Sequence, residues 1–426
     1  MLKETGKTRI TVVAKIDFDK YESFYAHRTG GMRSSVMRDL MAIIARPEII
    51  SLAGGLPNTE SFPAKTLAKI THGIAMDSCA AALQYGPTEG FDETKENIVK
   101  VMAEENTVAD ISNIIVTTGG QQGIDLVARI LVDPGDAVIT EAPTYPGAIP
   151  SFCGFEADVT QVPLDDDGIR TDLLRKELDR MLKEGARPKF IYVIPNFHNP
   201  AGVSLNLKRR QELVALAKEH QLIIVEDNPY GQLRFEGEPL PTLYSLDDDN
   251  NVIYLGTFSK IISPGIRLGW MVAPTPLLQK FNLGKQAADL CPSTLAQKLV
   301  NRYFDEFRWQ DYVEEVTGVY RVRRDAMLAA LEEHFPEEAG WTRPEGGFYI
   351  WVTLPEYLDT TDLLALAIEE EKVAFVPGAG SYVKSDGTNK MRLAFCAVPE
   401  EKIGEGIKRL AKVIKEQMAL YKALKG

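Results

Sequence analysis

Between residues 114 and 255 the chain alternates short β-branched runs with longer amphipathic stretches, and few architectures accept that alternation. Ile114 to Thr118 is β-branched and stops at Gly119-Gly120. Gln121 to Val132 follows, with Ile124, Val127 and Leu131 on one helical face. Ala137 to Thr140 is a second run, ended by Pro143. Phe190 to Ile194 is a third, followed by Pro195. Leu207 to His220 repeats Leu213, Leu216 and Ala217 at helical period; Leu222 to Val225 and Val252 to Leu255 are two further runs. Runs this short and this apolar read as buried strands, with helices carrying the chain between them. The pattern predicts an α/β fold, a mostly parallel sheet wrapped by helices. Ligands of such sheets collect beyond the carboxyl ends of the strands.

The last third changes character. Asp305 to Phe335 reads as one long helical stretch, Phe348 to Thr353 as a strand opened by Gly346-Gly347, and Met391 to Phe395 as another. Glu400 to Leu424 carries Ile403, Ile407, Leu410, Ile414, Met418 and Tyr421 on one stripe of a final helix. A chain of 426 residues has room for two or three domain-sized units. We expect a large α/β domain over residues 63–312. A smaller α+β domain would be drawn from residues 34–62 and 313–426. Residues 1–33 mix charge, glycine and aromatics and read as an N-terminal arm.

Several function classes are disfavoured early. The net charge is -12 and no Lys/Arg block stands out, which argues against nucleic acid as a partner. The N-terminal apolar stretch Ile10 to Ala14 is too short for an export signal. No run approaches the roughly 20 apolar residues that span a bilayer, so no membrane association is expected. Cys79, Cys153, Cys291 and Cys396 lie far apart and read as reduced thiols of a cytoplasmic protein. The histidines, at 27, 72, 198, 220 and 334, show no metal-ligand spacing, so no metal is expected.

The chemistry gathers around Gly256-Thr257-Phe258-Ser259-Lys260. Most lysines are solvated, but Lys260 stands between Phe258 and Ile261-Ile262, which implies partial burial. Burial and a nearby cation, for which Arg267 is the candidate, lower an amine's pKa from roughly 10 toward neutrality. A neutral amine attacks an aldehyde to form a Schiff base. The hydroxyls of Thr257 and Ser259, with the Arg267 guanidinium, suit a phosphate. Asp227, in Glu226-Asp227-Asn228-Pro229-Tyr230, taken alone reads as a solvated loop acid. Beside Lys260 it suits a pyridine nitrogen, whose protonated form it would favour and which then makes the ring an electron sink.

Asn199-Pro200-Ala201-Gly202 alone is a turn signal. In this company the Asn199 amide and the Tyr230 hydroxyl suit a phenolic oxygen on the same ring. Thr118-Gly119-Gly120-Gln121-Gln122 is a glycine-rich strand-to-helix turn, common by itself, whose backbone amides at Gly120 and Gln121 suit a phosphate. Tyr145 reads either as a core aromatic or as a ring stacked on the pyridine face. Arg392, inside an apolar strand, demands a partner. That partner is either a structural carboxylate or, favoured by the other residues, a substrate carboxylate held bidentately.

In their order along the chain these motifs resemble the fold type I pyridoxal 5′-phosphate (PLP) enzymes, the class I/II aminotransferases. The resemblance runs through Gly119-Gly120-Gln121-Gln122, Tyr145, Asn199-Pro200-Ala201-Gly202, Asp227 with Tyr230, Ser259-Lys260, Arg267 and Arg392. It extends to Ser51-Leu52-Ala53-Gly54-Gly55-Leu56-Pro57 and Leu83-Gln84-Tyr85-Gly86. The spacing of Lys260 and Arg267 is similar to that of the kynurenine/2-aminoadipate and multiple-substrate branch; aspartate-type enzymes carry one more residue between the two. Three positions depart from the common pattern. Gly120 and Thr257 stand where serine is usual, and Ala201 stands where threonine is frequent. None removes a required group.

The resemblance implies a large domain with a mostly parallel seven-stranded sheet between helices, plus the smaller α+β domain. It implies PLP as cofactor, bound covalently by Lys260, which also shuttles the proton. Asp227 would pair with the pyridine nitrogen, Asn199 and Tyr230 with the phenolic oxygen, and Tyr145 would stack on the ring. Gly120, Gln121, Thr257, Ser259 and Arg267 would hold the phosphate. Arg392 would bind the substrate α-carboxylate, beside Asn199 and Gly55. Tyr85 would reach into the neighbouring subunit's site of a homodimer. Arg38, in Ser35-Val36-Met37-Arg38, matches a residue that contacts substrate side chains, although a helix-surface arginine reads the same way. As a ligand it would favour 2-aminoadipate-like or polar donors; otherwise the surroundings of Tyr25, Leu56 and Tyr349 would favour aromatic or branched-chain ones.

The implied activity is transfer of an amino group from an L-amino acid to a 2-oxo acid, 2-oxoglutarate first among them, by a ping-pong mechanism. A β-lyase or decarboxylase of the same fold is the alternative, because PLP does the electronic work in each case. A PLP-sensing transcription regulator would need a basic N-terminal domain ahead of the Ser51 to Pro57 motif. That motif begins too early here to leave room for one.

Overall fold

The computed structural model describes residues 20–31, 46–384 and 386–425, so Arg38 and most of the expected N-terminal arm lie outside the described residues. The strands, in chain order, are β1 (Ile50–Ser51), β2 (Ile114–Thr117), β3 (Ala137–Ala142), β4 (Asp158–Asp165) and β5 (Gly168–Ile169). They continue with β6 (Phe190–Val193), β7 (Ile223–Asp227), β8 (Val252–Thr257), β9 (Gly269–Val272), β10 (Gly340–Trp341) and β11 (Tyr349–Thr353). Last come β12 (Val373–Ala374), β13 (Val376–Pro377) and β14 (Lys390–Ala394).

The largest sheet has the order β2-β9-β8-β7-β6-β3-β4-β5. Strands β8, β7, β6, β3 and β4 pair in parallel, while β9 is antiparallel to both its neighbours, β2 and β8. The eighth member, β5, is a two-residue antiparallel return onto β4, so seven strands carry the sheet. Every residue of β2, β6, β8 and β9 is buried, because helices cover both faces. Neighbouring residues of one strand feed different cores. Phe190 and Tyr192 pack with Leu126 and Val127 of the helix Gly120–Leu131. Ile191 and Val193 pack with Leu213 and Leu216 of the helix Leu207–His220. Both faces being apolar is why these segments read as continuous hydrophobic runs rather than alternating ones.

A second sheet, β10-β11-β14-β13, is antiparallel, and β1 pairs in parallel with β12, tying the start of the described chain to its last third. The helices Trp309–His334 and Glu400–Lys425 pack together behind these strands. Five of the six stripe residues expected on the last helix, Ile403, Ile407, Leu410, Ile414 and Met418, are buried. The sixth, Tyr421, stacks on Tyr357 with ring centroids 3.9 Å apart.

The long helical stretch expected from about Asp305 to Phe335 is the helix Trp309–His334; its first two residues instead end the preceding helix, Thr294–Glu306. Phe307 is extended (φ -139°, ψ 146°), and the aromatic pairs Tyr303–Phe307 and Phe304–Trp309 stack across the break. No helix among the described residues is long and apolar enough to cross a membrane.

Candidate active site

Four loops open on one edge of the large sheet because their strands run in the same direction. They are Thr118-Gly119-Gly120 after β2, Phe258-Ser259-Lys260 after β8, Asn228-Pro229-Tyr230 after β7, and the segment from Ile194 to Asn199 after β6. Strand β9 runs the other way and so begins at this edge. Gly269 is paired with both Thr117 and Thr257, which places Arg267, two residues earlier, between the β2 and β8 loops. A Cβ on Gly269 would lie 2.8 Å from the Gly119 carbonyl carbon and 2.9 Å from the Gly120 nitrogen, so the glycine-rich loop crosses where no side chain fits.

The second sheet closes the site. Tyr349 comes from β11, Arg392 from β14, and Gly55 from the segment after β1. A Cβ on Gly55 would sit 1.9 Å from Tyr349 Oη. The resulting cavity is about 280 Å³. It is lined by Gly55, Gly120, Gln121, Tyr145, Asn199, Asp227, Tyr230, Thr257, Ser259, Lys260, Arg267 and Arg392, together with Leu56 and Tyr349. Fourteen residues singled out in the sequence are thus brought together. Tyr85 is not among them: it is 77% exposed on this chain. Arg38 lies outside the described residues.

Lys260 Nζ lies 5.2 Å from the centre of the Phe348 ring and 5.9 Å from that of Tyr230. Burial, joined by the charges of Arg392 and Arg267, brings its amine from an ordinary 10.5 down to about 8, against an opposing pull from Cys396. Burial pushes the Cys396 thiol itself up to about 12, so at neutral pH it carries no charge to exert that pull. A useful fraction of the lysine is therefore an uncharged nucleophile near neutrality.

Asp227 ends β7 and is buried. Burial raises its carboxyl to about 6, opposed by a hydrogen bond that Tyr192 Oη donates to Oδ2 at 2.5 Å. No ion pair with a cation among the described residues offsets that burial. Arg267 has the complementary deficit. Its guanidinium donates to two carbonyls, Pro264 O and Thr118 O, each at 3.3 Å, and pairs with no carboxylate among the described residues. Beside it, Thr257 Oγ1 and Ser259 Oγ lie 2.8 Å apart. An aromatic aldehyde that carries a protonated ring nitrogen and a phosphate would answer the carboxylate, the amine and the guanidinium together.

Arg392 is held at both ends of its fork. Nη1 donates to Asn199 Oδ1 and Nη2 to Ala53 O, each at 2.9 Å, and the guanidinium carbon sits 4.3 Å over the Tyr349 ring. Asn199 Nδ2 in turn donates to Tyr230 Oη at 3.5 Å, and the Tyr230 and Tyr349 hydroxyls are 3.3 Å apart. Since Arg392 occupies the Asn199 oxygen, the amide's NH₂ is the end turned to Tyr230. Tyr145 is placed by its own turn, its ring within 2.4 Å of where a Cβ on Gly147 would be.

Three supporting residues were not foreseen. Tyr192 reads as one more core aromatic of β6. Glu105 and Asn228 form a buried pair behind Asp227, the Asn228 amide donating to both Glu105 oxygens at 3.0 and 2.9 Å. Gly231 is shaped by the same group: a Cβ there would meet Glu105 Oε1 at 2.1 Å. The only available signal was that a buried Tyr hydroxyl or Glu carboxylate must find a partner.

Comparison with known proteins places these observations. The family model for class I and II aminotransferases matches residues 47–410. The aromatic-amino-acid aminotransferase 1 of Thermococcus litoralis is 44% identical over 399 residues, covering 93% of this chain and 95% of its own. The crystal structure of Pyrococcus horikoshii kynurenine aminotransferase, in complex with PMP, has a TM-score of 0.90 at 43% identity. That match covers 94% of this chain and 98% of that one. LysN, the α-aminoadipate aminotransferase of Thermus thermophilus, complexed with N-(5′-phosphopyridoxyl)-L-leucine, has a TM-score of 0.87 at 36% identity. Here the coverage is 94% of this chain and 99% of the other.

Proposed function

This chain belongs to the class I and II aminotransferases and is a PLP-dependent transaminase, and we propose that it moves the amino group of an aromatic, 2-aminoadipate-like or branched-chain L-amino acid to 2-oxoglutarate in two ping-pong half-reactions. One observation carries the reading. An amine brought down to about 8, a buried carboxylate raised to about 6 and a buried arginine line one cavity. The three relatives named above support the donor range, since their names cover aromatic amino acids, kynurenine and α-aminoadipate. PLP, when bound, supplies the electron sink that stabilises negative charge at the substrate α-carbon.

The protein's part divides among the residues on the page. Lys260 Nζ would hold the cofactor and, as a neutral amine, would take the substrate α-proton. Asp227 holds the positive charge of the ring nitrogen, itself oriented by Tyr192. Asn199 and Tyr230 donate to the phenolic oxygen, and Tyr145 stacks on the ring. Gly120, Gln121, Thr257, Ser259 and Arg267 hold the phosphate. Arg392 takes the α-carboxylate of donor and acceptor alike, with Asn199 and Gly55 beside it. That shared contact suits a reaction in which two different acids use one site in turn.

The proposal includes a homodimer with shared sites. Met76, Leu83, Tyr85, Leu290 and Leu295 are exposed on or beside the contacting helices Ala64–Asp77, Cys79–Leu83 and Thr294–Glu306. An apolar face of this kind on one protomer supports burial against a second copy, with Tyr85 entering the partner's site. Division into a large domain over 63–312 and a small one over 34–62 with 313–426, after an N-terminal arm at 1–33, belongs to the same proposal. So does cytoplasmic residence, which the wide spacing of the four cysteines along the chain supports.

The test is spectroscopic. Protein loaded with PLP, given each class of donor, should lose the absorbance band of the lysine-bound cofactor and regain it on addition of 2-oxoglutarate. No band at all, or one that survives Lys260→Ala, would refute the reading. Release of ammonia with pyruvate, or of CO2, would turn it into a β-lyase or a decarboxylase.

A further inference from the structure

Behind the glycine-rich turn lies a second layer of side chains that are not part of the lining of the cavity described above. Asp289, the last residue of the helix Thr275–Asp289, accepts on Oδ2 from the Thr118 hydroxyl at 2.8 Å and from Gln122 Nε2 at 2.7 Å. Gln122 closes the ring: its Oε1 accepts the Thr118 backbone N–H at 2.8 Å. Lys285, one turn earlier on the Asp289 helix and fully buried, donates to both Asp289 oxygens at 2.6 and 2.8 Å. From the other side Arg267 Nη2 donates to the Thr118 carbonyl at 3.3 Å. A Cβ on Gly119, which has φ +76°, would lie 2.5 Å from that same nitrogen.

The turn is thus gripped from both sides through the residues that flank Gly119-Gly120. The grip matters because of what Gly120 lacks. With no side chain, it can meet a phosphate only through its backbone amide, and that amide goes wherever Thr118 and Gln122 put it. A buried lysine is costly unless paired, and the pair with Asp289 answers that cost. An ion pair serving stability alone, however, has no need to direct the remaining capacity of its carboxylate at both flanks of one loop.

We propose that Asp289, charge-balanced by Lys285, is a positioning residue for the cofactor phosphate: by fixing Thr118 and Gln122 it sets the Gly120 amide and Arg267 in register for binding. The inference rests on the reading that Gly120, Gln121, Thr257, Ser259 and Arg267 hold the phosphate. It predicts a defect confined to that group.

The experiment titrates apoenzyme with PLP and, separately, with pyridoxal, which has the same ring and aldehyde but no phosphate, and compares the two Kd values. Asp289→Asn loses one charge-assisted acceptor, so the Kd for PLP should rise about ten-fold or more, while that for pyridoxal stays within about two-fold. Thr118→Val keeps the carboxylate and its lysine, so it preserves the ion pair even where Asp289→Asn folds poorly. It should raise the Kd for PLP by about three-fold or more and leave pyridoxal alone. Arg267→Ala should collapse the preference for PLP over pyridoxal and serves as the benchmark. Equal weakening of both ligands by Asp289→Asn and Thr118→Val would reduce Asp289 to a structural role and overturn the proposal. An unchanged preference in both variants would overturn it too, provided Arg267→Ala loses the preference. If Arg267→Ala keeps that preference, the phosphate assignment has failed, and the role of Asp289 falls with it.

Discussion

Replacing Asp227 by asparagine should make the cofactor-free protein more stable while crippling the enzyme. Burial raises the Asp227 carboxyl from 3.8 to about 6 in the fold. At about 1.4 kcal/mol per unit, an ionised Asp227 costs the cofactor-free protein about 3 kcal/mol. The sign follows from proton counting. Between 3.8 and about 6 the folded state holds a proton that the unfolded state has released, so stability falls as pH rises through that window. Below it the penalty is absent; above about 6 it is complete. Asparagine keeps the volume and still accepts from Tyr192 Oη, but carries no charge.

The assay is urea unfolding of both apoproteins across the pH range. Every other titrating group cancels in the difference between them. That difference should grow by about 3 kcal/mol in favour of Asp227→Asn from acid to pH 8, with roughly half of the gain appearing between pH 5 and 8. With PLP bound the order should reverse, because the variant offers no counter-charge to the ring. A difference flat with pH would mean that Asp227 is ionised at little cost, and the case for a carboxylate awaiting a cation would fail.

Tyr192→Phe removes the hydrogen bond that holds Asp227 down, so in the cofactor-free protein the pH window over which the Asp227 penalty develops should extend upward by roughly one unit; urea unfolding against pH that shows no such change would detach Tyr192 from Asp227. Arg392→Ala takes away the two-nitrogen fork and should raise KM for amino donor and oxo acid alike, by on the order of a hundred-fold, with a smaller change in kcat. A loss confined to one of the two substrates would contradict a shared α-carboxylate site. Gly55→Ala drives a methyl group into Tyr349 Oη and should weaken substrate binding; Tyr349→Phe should recover part of the loss, since the ring carbon Cζ remains 2.7 Å from the added Cβ. Steady-state kinetics on the single and double variants would expose an absence of rescue.

What could be read from the sequence divides along a physical line. The strands were legible because both faces of the sheet are covered, which makes β6 an unbroken apolar run and leaves β2, β7 and β8 apolar up to their polar ends. The groups that line the cavity were legible because they sit just past those runs, where glycine and proline punctuate the chain and a charged residue stands out. Asp227 and Lys260 are polar residues at the ends of apolar segments. Tyr192 is an apolar-looking residue inside one, and only the parallel pairing of β6 with β7 brings its hydroxyl to Asp227. Lys285 and Asp289 read as an ordinary i,i+4 pair on a helix surface, and only tertiary packing buries the lysine completely. The break at Phe307 is silent in the sequence because it contains neither glycine nor proline and is made by aromatic stacking.

The same burial that hides these supports from the sequence sets the chemistry of the site. It raises Asp227 and lowers Lys260, moving both toward neutrality from opposite sides. A fold optimised only for stability would place neither group there, or would pair them with partners of its own. Instead the chain leaves Asp227 without a cation and Arg267 without a carboxylate among the described residues, and surrounds both with side chains that hold them in position. The destabilisation this carries is offset when PLP arrives with the missing charges. Cofactor binding should therefore raise the melting temperature most in the wild type and least in variants such as Asp227→Asn that have already relieved it.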